Sequence, residues 1–243
     1  MPVVGVDGSP DGWLAVRYED GQYEHAAQHA DIESLWDVHG GADRILIDVP
    51  IGLRETSNEP RACDRRAREV LGSPRGRSVF PPPVRAAVHC RDYETAKETQ
   101  ERFTDGSLGT QTWAICDRMQ ALDCFLLADG RARGDPSVVR EAHPEICFWA
   151  LNGEDAMAHS KTGAPLMAFW ERVGVLEAVD EAVLADIQAA GETLDTTAGN
   201  DDLLDAFALA VTASSLTGEA RTLPRDPETD PQGLPMEMVY APA

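Results

Sequence analysis

The sequence predicts an α/β fold, a mixed β-sheet with helices packed on it. Three observations predict it. A short apolar run, Val3-Val4-Gly5-Val6, precedes two turn signals, Pro10-Asp11-Gly12 and Asp20-Gly21, which space the strands of a meander. A second apolar run, Arg44-Ile45-Leu46-Ile47-Asp48-Val49-Pro50, reads as a buried strand ending at a proline. Segments of helical spacing then fill most of the remaining chain.

In chain order, the run from Val3 to Asp7 is the first strand, Trp13–Val16 its return, and Gln22–Ala27 the third. Asp31 is placed to cap a helix over Ile32–Val38. After the buried strand, helices are expected near Pro60–Leu71, Tyr93–Phe103 and Thr110–Ala128, around the proline-rich Val79-Phe80-Pro81-Pro82-Pro83. These form a helical insertion, about 52–136, within a single 243-residue domain. Ser137–Ala142 returns as a strand. Helices follow near Glu145–Leu151, Pro165–Val173 and Asp180–Ala190, and the last runs from Asp201 to about Leu216. A proline-rich tail, about 218–243, closes the chain, with Met236–Tyr240 fitting a short edge strand.

Acids outnumber bases 42 to 21, for a net charge of −21, and only Lys97 and Lys161 are lysines. Such a surface fits a protein adapted to molar salt. At about 1 M the Debye length is roughly 3 Å, so self-repulsion is screened almost to contact. Total charge therefore does not exclude a nucleic-acid partner. No stretch approaches the ~18 apolar residues of a membrane span, and the opening MPVVGVDGS lacks the basic and apolar regions of a secretory signal. A soluble, cytoplasmic protein with no membrane partner is expected. The five cysteines form no CxxC pair, which points to free thiols in a reducing compartment. Of the six histidines, His143 stands in suggestive company, in Glu141-Ala142-His143-Pro144-Glu145.

Three acids fall at or near predicted strand ends: Asp7, Asp48 and Glu141. Others open the last helix, in Asp201-Asp202-Leu203-Leu204-Asp205-Ala206, where Asp202 and Asp205 share a face. Singly, each has a plain structural reading as a turn, a strand cap or a helix N-terminal acid. Together they match an arrangement in which carboxylates on neighbouring strands and a facing helix hold two Mg²⁺ or Mn²⁺ ions about 3.5–4 Å apart for phosphodiester hydrolysis.

The stretches GVDGSPDGW (5–13), IDVPIGL (47–53), CDRRAREVLG (63–72), SVFPPPVRAA (78–87), GTQTWAI (109–115), REAHPEICF (140–148), SKTG (160–163) and DDLLDAFALAVTA (201–213) cover almost the whole chain. In them the chain resembles the predicted-nuclease family of RNase H-like fold known as domain of unknown function 429, in a haloarchaeal-type, salt-adapted form. The resemblance implies an RNase H-like mixed five-stranded sheet, its first three strands antiparallel and the rest parallel, flanked by helices. It implies a divalent-metal-dependent nuclease of resolvase-like type, with Asp7, Asp48, Glu141, Asp202 and Asp205 as catalytic metal ligands. Glu145, His143 and Asp201 would support them. The chain departs from the family pattern at Ala121, where an acid is common, and at Thr162, where a second lysine is.

Nine arginines lie between Arg54 and Arg91 against four acids, a local balance of +5 that leaves −26 for the rest of the chain. Arg61, Arg65 and Arg68 fall at i, i+4, i+7 of the helix expected there, and Arg75 and Arg77 in a glycine-containing loop. With Arg85 and Lys161 they are candidates for holding nucleic-acid phosphates; pairing with surplus carboxylates is the plain alternative. Phe80, Trp113, Trp149 and Trp170 read as packing residues. Two other functions remain open: a catalytically silent nucleic-acid-binding or scaffold protein, and an actin-like or sugar-kinase-like (ASKHA-type) phosphotransferase built on Asp7-Gly8-Ser9. The second usually needs another such half, and no second strand-turn of that kind is present. A homodimer is left open.

Overall fold

The β-branched valines of Pro2–Ser9 are buried in the central strand, β1. A computed structural model describes residues 1–133 and 138–243. β2 (Gly12–Glu19) pairs antiparallel with β1, from Ser9↔Gly12 back to Pro2↔Glu19. Asp20 and Gly21, both at positive φ (50° and 78°), make the tight turn into β3 (Gln22–His29). Asp31 then caps α1 (Ile32–His39) in a reciprocal box with Ser34. β4 (Arg44–Ile47) lies parallel on the other side of β1, and β5 (Val139–Glu141) lies parallel to β4. The five-stranded sheet has the order β3-β2-β1-β4-β5, three antiparallel strands followed by parallel ones.

Between β4 and β5 come α2 (Ala62–Leu71), a 3₁₀ turn at Arg75–Ser78, α3 (Arg85–Val88), α4 (Tyr93–Phe103), α5 (Thr110–Trp113) and α6 (Cys116–Ala128). The expected single helix over Thr110–Ala128 is thus two, broken where Ile115 leaves helical geometry at φ −109°, ψ 0°. The upper bound of the expected insertion, 136, and Ser137 of the expected strand lie outside the described residues. After β5 follow α7 (Pro144–Leu151), α8 (Pro165–Glu177), α9 (Val183–Thr193) and α10 (Asn200–Ala213).

The expected tail is instead largely a hairpin, β6 (Arg221–Thr229) with β7 (Pro235–Tyr240). Its prolines are tolerated because Pro224 and Pro227 fall in the register shift between Leu223 and Glu228. Met236 and Met238 pack with Cys63 and Ala67 of α2, anchoring the hairpin beside the insertion.

The core fills both faces of the sheet. Val4, Val6, Ile45 and Ile47 meet α1 and α6 on one side, while Leu14, Val16 and Leu46 meet α7 and α10 on the other. α10 crosses directly over β1 at Gly5. A Cβ there would intrude on Ala206 O, Ala210 N and the Leu209 carbonyl carbon, so glycine is what lets helix and strand approach this closely. The five cysteines form no disulfide: Cys63, Cys116 and Cys147 are buried, Cys90 half-buried and Cys124 exposed. Among the described residues no helix is long and apolar enough to cross a membrane.

Candidate functional site

Parallel strands leave their carboxyl ends on one edge of a sheet, and here those ends carry the acids. Val6 pairs with Ile47 and Ile47 with Glu141, so Asp7, Asp48 and Glu141 reach the same edge from three adjacent strands. Asp48 is locked in place by its own N–H, which donates to Val6 O at 3.0 Å. The start of α10 arrives there because of the close crossing at Gly5. Asp202 accepts the Gly199 N–H at 2.9 Å, capping the helix, and still faces the edge. Asp7, Asp48, Glu141, Asp202, His143 and Arg118 all line one cavity of about 280 Å³.

The charges in this cavity oppose one another. Burial pushes the Asp7 carboxyl well above the usual carboxylate range, and Asp48, Asp205 and Asp202 push it further. It accepts a hydrogen bond from the Gly8 N–H, at 2.7 Å. Asp48 is also raised, chiefly by burial, with His143 and Lys161 working the other way. Asp205 rises to about 6 through burial, despite an ion pair with Lys161. Its Oδ1 is buried with no hydrogen-bond partner among the described residues. Three of these carboxylates, Asp7, Asp48 and Asp205, thus share the charge of one lysine.

Glu141 stands apart from this group. Arg61 clasps it with two 2.7 Å hydrogen bonds and holds Asp64 as well, while the Ile51 N–H donates to Glu141 Oε2 at 2.6 Å. Arg61 is 1% exposed, and burial raises Glu141 to about 7 against the pull of that guanidinium. Among the described residues, Cys63, Asp64 and Glu141 are the one group of three His, Cys, Asp or Glu side chains whose donor atoms all lie within 4.8 Å of one another. Arg61 already supplies the cation there, and burial holds the Cys63 thiol protonated. No three of Asp7, Asp48, Asp202 and Asp205 approach so closely; the first three line the cavity, and Asp205 does not.

The family model described as "Protein of unknown function (DUF429)" matches residues 5–229. The chain belongs to the DUF429 family. No curated protein and no solved structure matches it.

Several expected site residues of this DUF429 chain are employed elsewhere. Arg61 is not on an outward helical face with Arg65 and Arg68. It is the residue before α2 and turns inward, because two buried carboxylates require a counter-charge. Arg68 donates to Val79 O at 2.8–2.9 Å, and Arg85 is bound to Asp123 and Asp230. Arg65 is exposed and reaches Pro60 O. Arg75 and Arg77 line a second cavity of about 420 Å³ with Glu145 and Lys161, which shares Ser78 and Phe80 with the first. Glu145 is paired with Arg172, itself 0% exposed. His143 caps α7, its Nδ1 accepting the Glu145 N–H at 3.2 Å. Asp201 is exposed and lines neither cavity.

Two packing assignments change. Phe80 is 40% exposed at the wall between the cavities, and Trp170 is 52% exposed on α8. Trp149 is buried and Trp113 half-buried, as expected. One cavity residue escaped the sequence altogether. Arg118 lies across Gly8, where a Cβ would strike its guanidinium, and donates to Ser9 O. Its one sequence signal is its place just after GTQTWAI.

Proposed function

We propose that this protein is a divalent-metal-dependent phosphodiesterase acting on nucleic acid, as its resemblance to nucleases of RNase H-like fold implies. The observation that carries the reading is the meeting of Asp7, Asp48 and Asp202 around one cavity, with too little positive charge to balance them. The donors suit a hard cation, being carboxylate oxygens, and the unpartnered Asp205 Oδ1 beside them is an acceptor lacking a donor. Asp7, Asp48 and Asp202 would hold the ion, with Asp205 adjoining. Glu141 becomes a positioning residue, fixing the Ile51 backbone and Arg61 at the cavity wall. A bound Mg²⁺ or Mn²⁺ would supply an activated water and neutralise charge on the phosphoryl group.

The chain's own residues do the remaining work. Arg118, on the cavity wall beside Gly8, offers guanidinium N–H groups to a phosphate oxygen. Arg75 and Arg77, which have no side-chain ion pair among the described residues, extend that positive rim into the second cavity. The exposed ring of Phe80 gives a base or sugar an apolar surface between the two. A reducing, salt-rich cytoplasm fits the free thiols and the −21 charge.

The test is cleavage of DNA, RNA and branched DNA with Mn²⁺ or Mg²⁺ in high salt. The expected result is metal-dependent cleavage of at least one substrate, lost in Asp7→Asn. Equal inactivity of wild type and variant on all of them would remove the reading. A second reading, a catalytically silent nucleic-acid binder, is favoured by two observations: the acids do not close around a point, and Lys161 already neutralises Asp205. It predicts salt-dependent binding of nucleic acid without stabilisation by divalent ions.

A further inference from the structure

Lys161 sits on the loop between α7 and α8 and sends its side chain to Asp205 on α10. An ammonium carries three N–H donors, and Asp205 Oδ2 takes one. Two acceptors in its surroundings are unsatisfied. Asp205 Oδ1 and Glu145 Oε2 are both buried with no partner among the described residues, on residues only 7% exposed. Burial would lower the Lys161 ammonium pKa, but Asp205 and then Glu145 outweigh it and raise it. The same charge reaches Asp7 and Asp48. The acids therefore divide in two. Asp7, Asp48 and Asp202 line the first cavity, and Asp205 and Glu145 gather around the lysine, beside the second.

Resting on the metal-dependent reading above, we propose that the site takes one divalent ion, and that Lys161 Nζ is the fixed second cation. Two ions would have to share Asp205 with an ammonium already bonded to it, and like charges at that range repel strongly in a buried site. One ion on the Asp7 side and the ammonium on the Asp205 side leave each carboxylate group with a partner. The unpartnered oxygens of Asp205 and Glu145 then mark the space that opens to a second ion once the lysine charge is removed.

The experiment is Mn²⁺ binding to the full chain, followed by titration calorimetry and by electron paramagnetic resonance. Wild type should bind one ion per chain, with the spectrum of an isolated Mn²⁺. Lys161→Met should bind two, with the broadened spectrum of a spin-coupled pair, and Lys161→Arg, which keeps the charge, should bind one. Two ions in wild type would overturn the proposal while leaving the metal-dependent function standing. One ion in Lys161→Met, folded by circular dichroism, would reduce Lys161 to a structural ion pair. No ion in wild type would sink the proposal together with the function it rests on.

Discussion

The close crossing of α10 over β1 at Gly5 also assembles the candidate site, which makes Gly5→Ala a sharp probe. A Cβ at this position would lie within 3.0 Å of three backbone atoms of α10, where no flexible side chain can yield. Restoring ordinary contact means moving strand and helix apart by roughly 1 Å. Two effects compete. Alanine restricts the unfolded chain and gains about 0.4–1 kcal/mol. Overpacking a close-packed core costs about 1–3 kcal/mol, more where backbone must move, so the clash wins. A net loss of about 2 kcal/mol lowers Tm by about 4–8 °C in a chain of this size. The same retreat carries Asp202 and Asp205 away from Asp7, and a displacement near 1 Å costs roughly 10²-fold in a positioned reaction. Urea and thermal unfolding measure the first effect, and Mn²⁺ affinity with cleavage rate the second. A variant as stable as wild type, with unchanged Mn²⁺ affinity, would refute the link between this crossing and the site.

Arg61→Met should be severely destabilising, by about 3–5 kcal/mol, because it strands the buried Asp64 and Glu141 carboxylates without a cation; urea unfolding checks this, and a loss below 1 kcal/mol would contradict the buried triad. His39, 1% exposed, is held down to about 4 by burial and by His29, whose Nε2 lies 3.2 Å from its own. The unfolded chain takes up that proton first, so stability is complete above about pH 6.5 and drains away as pH falls toward 4, a loss approaching 3 kcal/mol. His39→Gln should flatten the wild-type curve over that window, the difference between the two curves isolating this group from the site acids, which titrate with the opposite sign.

Local signals made the sheet legible. The meander, the Asp31 cap and the strand ending at Asp48 are written in contiguous residues, and Asp7 and Asp48 were placed because they end apolar runs. The DxxDA helix start was legible for the same reason. What sequence did not show depends on contacts between distant segments. Arg61 and Glu141 are eighty residues apart, and nothing local says that one neutralises the other. An arginine in a basic stretch and an acid at a strand end look like two halves of a substrate site, yet burial joins them to each other. β7 was legible as the expected strand Met236–Tyr240, but its partner β6 was hidden by prolines that a register shift accommodates. Arg118 reaches the cavity because Gly8 leaves room beneath it, a fact of packing rather than of pattern.

The most direct measurement is a crystal structure of the chain soaked in Mn²⁺, with the ion located by its anomalous signal. An ion in the first cavity, ligated by Asp7, Asp48 and Asp202 with Arg61 still clasping Glu141, is the expected result. An ion bound instead by Cys63, Asp64 and Glu141, or no ion near the strand ends, would contradict the metal site and the phosphodiesterase reading built on it.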